Sequence, residues 1–188
     1  MEKYSYIQGG MKHWLLVLFL SAVALANASV IGEPDPDALR KELFELELNP
    51  EEISVFLEKL ESIEDPSPQI IAYKGSTCAF LARYLFNPFK KIYYLNKSQK
   101  YLNRAVRLDP DNVEIRFLRF LTQSQIPAFF SLGYDVKSDK KYIVVHLDDF
   151  KLDGLTPEIV SYLTGFLQKS RYCTLDEANM IAAYLGPG

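Results

Sequence analysis

Apolar residues recur along this chain every three or four positions, the spacing of one face of an α-helix. The clearest case is Ile53, Phe56, Leu57, Leu60 and Ile63, at i, i+3, i+4, i+7 and i+10. Asn49-Pro50-Glu51-Glu52 opens that helix, with a capping side chain and a proline in the first turn, where its missing N–H costs nothing. Asp35-Pro36-Asp37 opens an earlier helix in the same way, with Leu39, Leu43, Leu46 and Phe44 as its stripe. Asp65-Pro66-Ser67-Pro68 is a break, and Ser67 with Pro68 starts a third helix over about 68–86. One face of it carries Ile71, Gly75, Cys78, Ala82 and Leu85. Glycine inside a helix costs about 1 kcal/mol relative to alanine, so Gly75 predicts close approach of a neighbouring helix.

Asn87-Pro88 is expected to stop the third helix, leaving Phe89–Tyr94 as an aromatic and basic connector. A fourth helix over about 93–108 would bury Tyr94, Ser98, Tyr101, Leu102 and Ala105. Pro110 ends it, and Asp111 or Asn112 caps a fifth over 111–124, with Val113, Phe117, Leu118, Phe120 and Leu121 facing inward. Residues 125–137 read as a loop holding Pro127 and Gly133. The segment Tyr142–Leu147 has strand-like β-branched content. It also fits a helix, with Ile143, Leu147 and Phe150 on one face and Ser138 as cap, and its helical neighbours favour that reading. Thr156-Pro157-Glu158 starts a seventh helix with Ile159, Leu163, Phe166 and Leu167 as stripe. Thr174-Leu175-Asp176-Glu177 starts an eighth with a capping box. Eight helices joined by short corners predict a single all-α domain over 35–188.

The chain is organised around residues 102–117, the end of one amphipathic helix, a proline corner and the start of the next. Leu102 and Ala105, with Pro110 five residues after Ala105, resemble the second-helix end of a tetratricopeptide (TPR) unit. Gly75 resembles the small residue of that family's first helix, and Ile71 the bulky position before it. Lys74 and Cys78 depart from the family, which prefers Leu and Tyr there. Pro68 to Pro110 spans 43 residues against 34 in a standard unit, with the excess around 87–94. The resemblance covers about 68–124 and implies antiparallel helix pairs stacked as a short TPR-like array. The run from Tyr73 to Phe120 is more loosely similar to exported bacterial proteins of undefined function, which implies no activity.

The N-terminus adds a compartment. Lys12 precedes an apolar run from Leu15 to Ala26, and Ala26-Asn27-Ala28 is a small-residue site. That order is the order of a secretory signal peptide, and the run is shorter than the roughly 20 residues a membrane-spanning helix needs. Cleavage is expected after Ala28, with Met11 as a candidate start and 29–34 as a flexible leader. An uncleaved anchor is the alternative. Export would end in the periplasm or outside the cell. The removed segment carries Lys3, Lys12 and Glu2, so the mature chain would hold 19 basic and 23 acidic residues. A slightly acidic chain has no overall electrostatic footprint for nucleic acid. Cys78 and Cys173 are either a disulfide of an exported protein or two buried thiols.

Chemistry is sparse. Outside the signal segment His146 is the single histidine, in an apolar stretch where a hydrogen-bonded structural role is the ordinary one. No zinc, nucleophile-elbow or phosphate-loop motif is present, so no catalytic group and no cofactor is expected. Asp148, Asp149 and Asp153 lack the glycine turn and distal glutamate of a calcium loop and read as solvated charge. Two surfaces remain. Arg104 and Arg107, and Arg116 and Arg119, are i, i+3 pairs on either side of Pro110, suited to bidentate carboxylate recognition or else paired with nearby acids. Lys100 and Arg104 fall on a second helix, so the carboxylate clamp of TPR first helices does not carry over. Tyr84, Phe86, Phe89, Tyr93 and Tyr94, beside Lys90 and Lys91, form an aromatic set that either anchors a partner or ligand or tucks into the core. The expectation is an exported, non-enzymatic module binding a partner protein or peptide. The alternative is a carrier or sensor of a glycan or apolar ligand, with the aromatics lining a pocket.

Overall fold

A computed structural model of the chain describes residues 34–46, 49–126, 136–148 and 157–185. The expectations for the signal peptide, its cleavage site, most of the leader, Asp149 and Asp153 lie outside the described residues. Among the described residues the fold is all-helical. Its helices are α1 (Pro36–Glu45), α2 (Pro50–Glu61), α3 (Pro68–Tyr84), α4 (Pro88–Leu108), α5 (Val113–Ser124), α6 (Val136–Val145), α7 (Pro157–Lys169) and α8 (Leu175–Leu185). All eight belong to one unit spanning Glu33–Gly188.

The caps follow local chemistry. Asp35, Asn49, Ser67, Asn87 and Asn112 each accept a hydrogen bond from a first-turn amide of the helix they precede, satisfying donors the helix itself leaves unpaired. Asn87 is where the structure departs from the expected boundary. Its Oδ1 accepts from Phe89 N at 2.9 Å and Lys90 N at 3.2 Å, and Pro88 takes the first helical position. Asn87-Pro88 therefore starts α4 rather than merely stopping α3. The expected connector over 89–94 is helical, and the turn shrinks to Leu85–Asn87. Residues 142–145 are helical and not extended, within an α6 that begins at Val136, ahead of the expected cap Ser138.

The helix α3 is the centre of the first half. Nine consecutive residues, Ile70 through Cys78, are buried. A helix buried all round needs partners on every side, and α3 packs against α1, α2, α4 and α5. Its main partner is α4, which runs back along it antiparallel: Gly75 sits against Ser98 and Leu102, while Leu81 and Tyr84 share a cluster with Tyr94. A Cβ at Gly75 would come within 2.6 Å of Leu102 Cγ and 3.1 Å of the Ser98 carbonyl. The glycine is what allows the two backbones this approach.

Two larger cores result, with α5 between them. Leu39, Leu43, Phe56, Leu60, Ile70–Tyr73, Leu102, Ala105 and Val106 meet Ile115 and Leu118 on one side of α5. Val113, Phe117, Phe120 and Leu121 meet Val136, Ile143, Val144, Leu147 and Leu167 on the other. A short helix with buried apolar residues on two sides leaves little surface for its charged residues. That constraint decides the fate of the arginines.

Candidate functional site

The four arginines divide by helix. Arg104 and Arg107 on α4 are exposed and form no hydrogen bond or ion pair with a described residue. Arg116 and Arg119 on α5 are largely enclosed and converge on one carboxylate, Asp139 of α6. Arg119 binds it with two nitrogens at 2.6 Å each, and Arg116 Nη1 lies 3.1 Å away. Asp139 is fully buried. Arg116 also donates to the Pro110 carbonyl at 2.5 Å, and its guanidinium lies 4.2 Å from the Tyr142 ring centroid. Arg119 reaches Asn103 on α4 at 3.2 Å. The expected continuous four-arginine surface is thus two arginines facing solvent and two tying α5 to α6. Neither Asp109, Asp111 nor Glu114, the acids nearest them in sequence, is their ion-pair partner.

Glu114 serves the opposite side of α5. Arg40 of α1 binds it bidentately at 2.8 and 2.7 Å, and Tyr73 Oη donates to it at 2.7 Å. Asp37 takes the other Arg40 nitrogen at 2.6 Å. The Glu114 hydrogen bond raises the Arg40 pKa, so its charge is secure. Burial, reinforced by Glu114, pushes the Tyr73 phenol well above its ordinary value. Arg40 and Tyr73 were invisible to periodicity, because a buried arginine on an apolar stripe reads as a solvent-facing position.

His146 is accounted for by structure. Its ring stacks on Tyr142 at 4.0 Å, and its Nδ1 lies 2.8 Å from the Tyr142 carbonyl, which can only accept, so that nitrogen carries the proton. No acidic or cysteine side chain pairs with it among the described residues. Glu177 and Thr174 form the expected capping box, at 2.7 and 3.3 Å, and Glu177 also pairs with Lys140. Burial alone would raise the Glu177 pKa, but Lys140 and Thr174 together lower it. Both cysteines are free thiols. Burial pushes Cys78 up to about 12, and burial followed by Glu177 raises Cys173. Among the described residues no cluster of His, Cys, Asp or Glu is arranged to hold a metal.

The aromatic set also divides. Tyr84 and Tyr94 are half-buried against Ile53, Leu57, Cys78 and Leu81. Phe86 and Phe89 are 103% and 81% exposed, and Tyr93 is 59% exposed. These three occupy the α3–α4 turn and the first two turns of α4, facing solvent. An open groove of about 620 Å³ lies between α1 and α2, lined by Leu46, Val55, Phe56 and several glutamates, and includes none of the five aromatics.

Charge distribution supplies what the overall net charge concealed. Residues 66–108, which are α3, α4 and their flanks, contain no acidic residue. They hold eight basic ones: Lys74, Arg83, Lys90, Lys91, Lys97, Lys100, Arg104 and Arg107. The rest of the chain has 13 basic residues against 24 acidic. Lys74 is buried, and burial lowers its pKa. Lys97 pairs with Glu61 of α2 at 2.5 Å. Lys100, Arg104 and Arg107, at i, i+4 and i+7, remain as an exposed stripe along α4. A local count of acids would have found this hairpin in the sequence. Compared with family models, curated proteins and solved structures, the chain has no match.

Proposed function

We propose that this chain is an exported, non-enzymatic module that binds an acidic segment of a partner protein or peptide in the bacterial envelope along α4. The observation carrying this reading is the exposed stripe Lys100, Arg104 and Arg107, without an ion-pair partner among the described residues, on a hairpin that contains no acid. Arginine guanidinium forks suit carboxylates bidentately, and two of them one turn apart on a long helix address successive acidic side chains. Arg116 and Arg119 leave the proposed surface, since Asp139 occupies them. A divergent TPR-like unit is the architectural form of the proposal. It is supported by Gly75 against Leu102, by the fully buried Ala105, and by Pro110 at the corner after α4. Export is supported by Lys12, the apolar run Leu15–Ala26 and the Ala26-Asn27-Ala28 site.

The test is binding of a fluorescent oligoglutamate peptide, followed by anisotropy at low and high salt. Arg104→Gln with Arg107→Gln is expected to weaken binding roughly five- to tenfold, each exposed pair contributing modestly, and to flatten the salt dependence. Equal binding by wild type and variant would refute the assignment of this face.

A further inference from the structure

The α3–α4 turn has a chemistry that the α4 stripe does not use. Of the large apolar side chains exposed on the described residues, Phe86, Phe89, Ile92 and Tyr93 fall within eight positions. The last three share one face of α4, at i, i+3 and i+4, and Phe86 stands free in the three-residue turn before it. Arg83, Lys90 and Lys91 flank them, and no acid lies anywhere in the hairpin. A peptide-binding site is a groove whose walls enclose the ligand's side chains. Here the aromatics project outward from the end of a hairpin, and Phe86 is as exposed as in an extended chain. Protruding apolar rings ringed by cations fit a surface that accepts insertion and carries negative charge.

We propose that this turn is a membrane-docking tip that inserts Phe86 and Phe89 into the interface of a bilayer with anionic headgroups. Aromatic rings are suited to the boundary between headgroups and acyl chains, and lysines beside them gain from the negative surface potential. Tyr93, with its hydroxyl, and Ile92 lie one turn further along the helix, at the depth where the interface becomes polar. Charge complementarity selects anionic over neutral lipid: the tip carries Arg83, Lys90 and Lys91 and belongs to a hairpin with no acidic residue, on a chain whose remainder is acidic. The inserted rings require no change of fold, because nothing in the described structure covers them. This docking is independent of the α4 stripe, and would hold the stripe near the membrane for its partner.

The test is co-sedimentation of the full chain with phosphatidylglycerol–phosphatidylcholine vesicles and with phosphatidylcholine vesicles alone. Phe86→Ser with Phe89→Ser should reduce binding to the anionic vesicles about tenfold or more, as expected for two partly inserted rings. Lys90→Gln and Lys91→Gln should each cost roughly fivefold. The apolar run 15–26 is common to wild type and variants, so the difference reports the tip. Phe86→Trp in a Trp14→Phe background gives a local readout: its emission should shift to the blue on anionic vesicles and be quenched by brominated acyl chains. The serine variant should keep the wild-type unfolding midpoint and its oligoglutamate binding. Unchanged vesicle binding by that variant, or no emission shift at position 86, would overturn the proposal. So would a single-stranded oligonucleotide, an acidic peptide or a second copy of the chain whose binding the serine variant abolishes while vesicle binding persists.

Discussion

Arg104 with Arg107 and Arg116 with Arg119 are the same pattern in sequence: i, i+3 pairs on consecutive helices. In the fold these two pairs, offset by twelve positions in sequence, are opposites. The α4 pair lies on the outer face of a hairpin that has no acid to offer, so it faces water. The α5 pair lies on a helix with a core on each side, where an unpaired guanidinium would have to be desolvated without compensation. Asp139 arrives from α6 and removes that cost. The difference teaches that spacing places a charge on a helix face, while the elements packed against that face decide whether the charge binds a partner or binds the fold.

The comparison breaks most severely at Asp139. Asp139→Asn leaves Arg116 and Arg119 facing a neutral amide in an enclosed site. It is expected to destabilise the protein by about 3–5 kcal/mol, the usual result of removing one partner of a buried ion pair. Urea denaturation followed by circular dichroism measures this; a change below the resolution of the midpoint would mean that α6 does not depend on the pair.

A direct contrast of the two pairs comes next in size. Arg116→Gln or Arg119→Gln should each cost about 2 kcal/mol, the range for hydrogen bonds to charged groups. Arg104→Gln and Arg107→Gln should stay within about 0.5 kcal/mol, as exposed substitutions do. Oligoglutamate binding should rank the four in reverse. Equal stability losses on α4 and α5 would erase the distinction.

A smaller loss than that of either enclosed arginine belongs to the other side of α5. Tyr73→Phe removes one donor from Glu114, which keeps Arg40, and should cost about 1–2 kcal/mol at neutral pH. It should also change the alkaline limb. The folded Tyr73 holds its proton more tightly than the unfolded chain does, so its contribution is complete below about pH 10 and declines above it as unfolded tyrosine ionises. Stability curves of wild type and Tyr73→Phe should therefore run parallel from neutral pH to about pH 10 and converge above it. Curves still parallel above about pH 10 would show that Tyr73 ionisation has no part in alkaline unfolding.

Much of the fold was legible because it is written locally. The residue pairs Asp35-Pro36, Asn49-Pro50 and Ser67-Pro68, and the box Thr174–Glu177, each solve the problem of unpaired first-turn amides within four residues of chain, and each marks a helix start in the structure. Asn87-Pro88 uses the same chemistry. It both ends α3 and starts α4, since a stop and a start can share two residues. The apolar stripe of α2 was legible for the same local reason. The site was less so. A charge average over the whole chain hid the acid-free stretch 66–108, and side-chain identity alone could not tell Phe86 and Phe89, which protrude, from Tyr84 and Tyr94, which pack.

By itself, then, the sequence determined that the chain is helical, where most helices begin, and that Gly75 marks a close approach. These follow from interactions between residues a few positions apart. Only the tertiary structure decided that α3 is enclosed on every side, that α5 separates two cores, and that Asp139 and Glu114 claim Arg116, Arg119 and Arg40. Those outcomes depend on groups 20 to 74 positions apart in the chain, whose meeting no local spacing encodes.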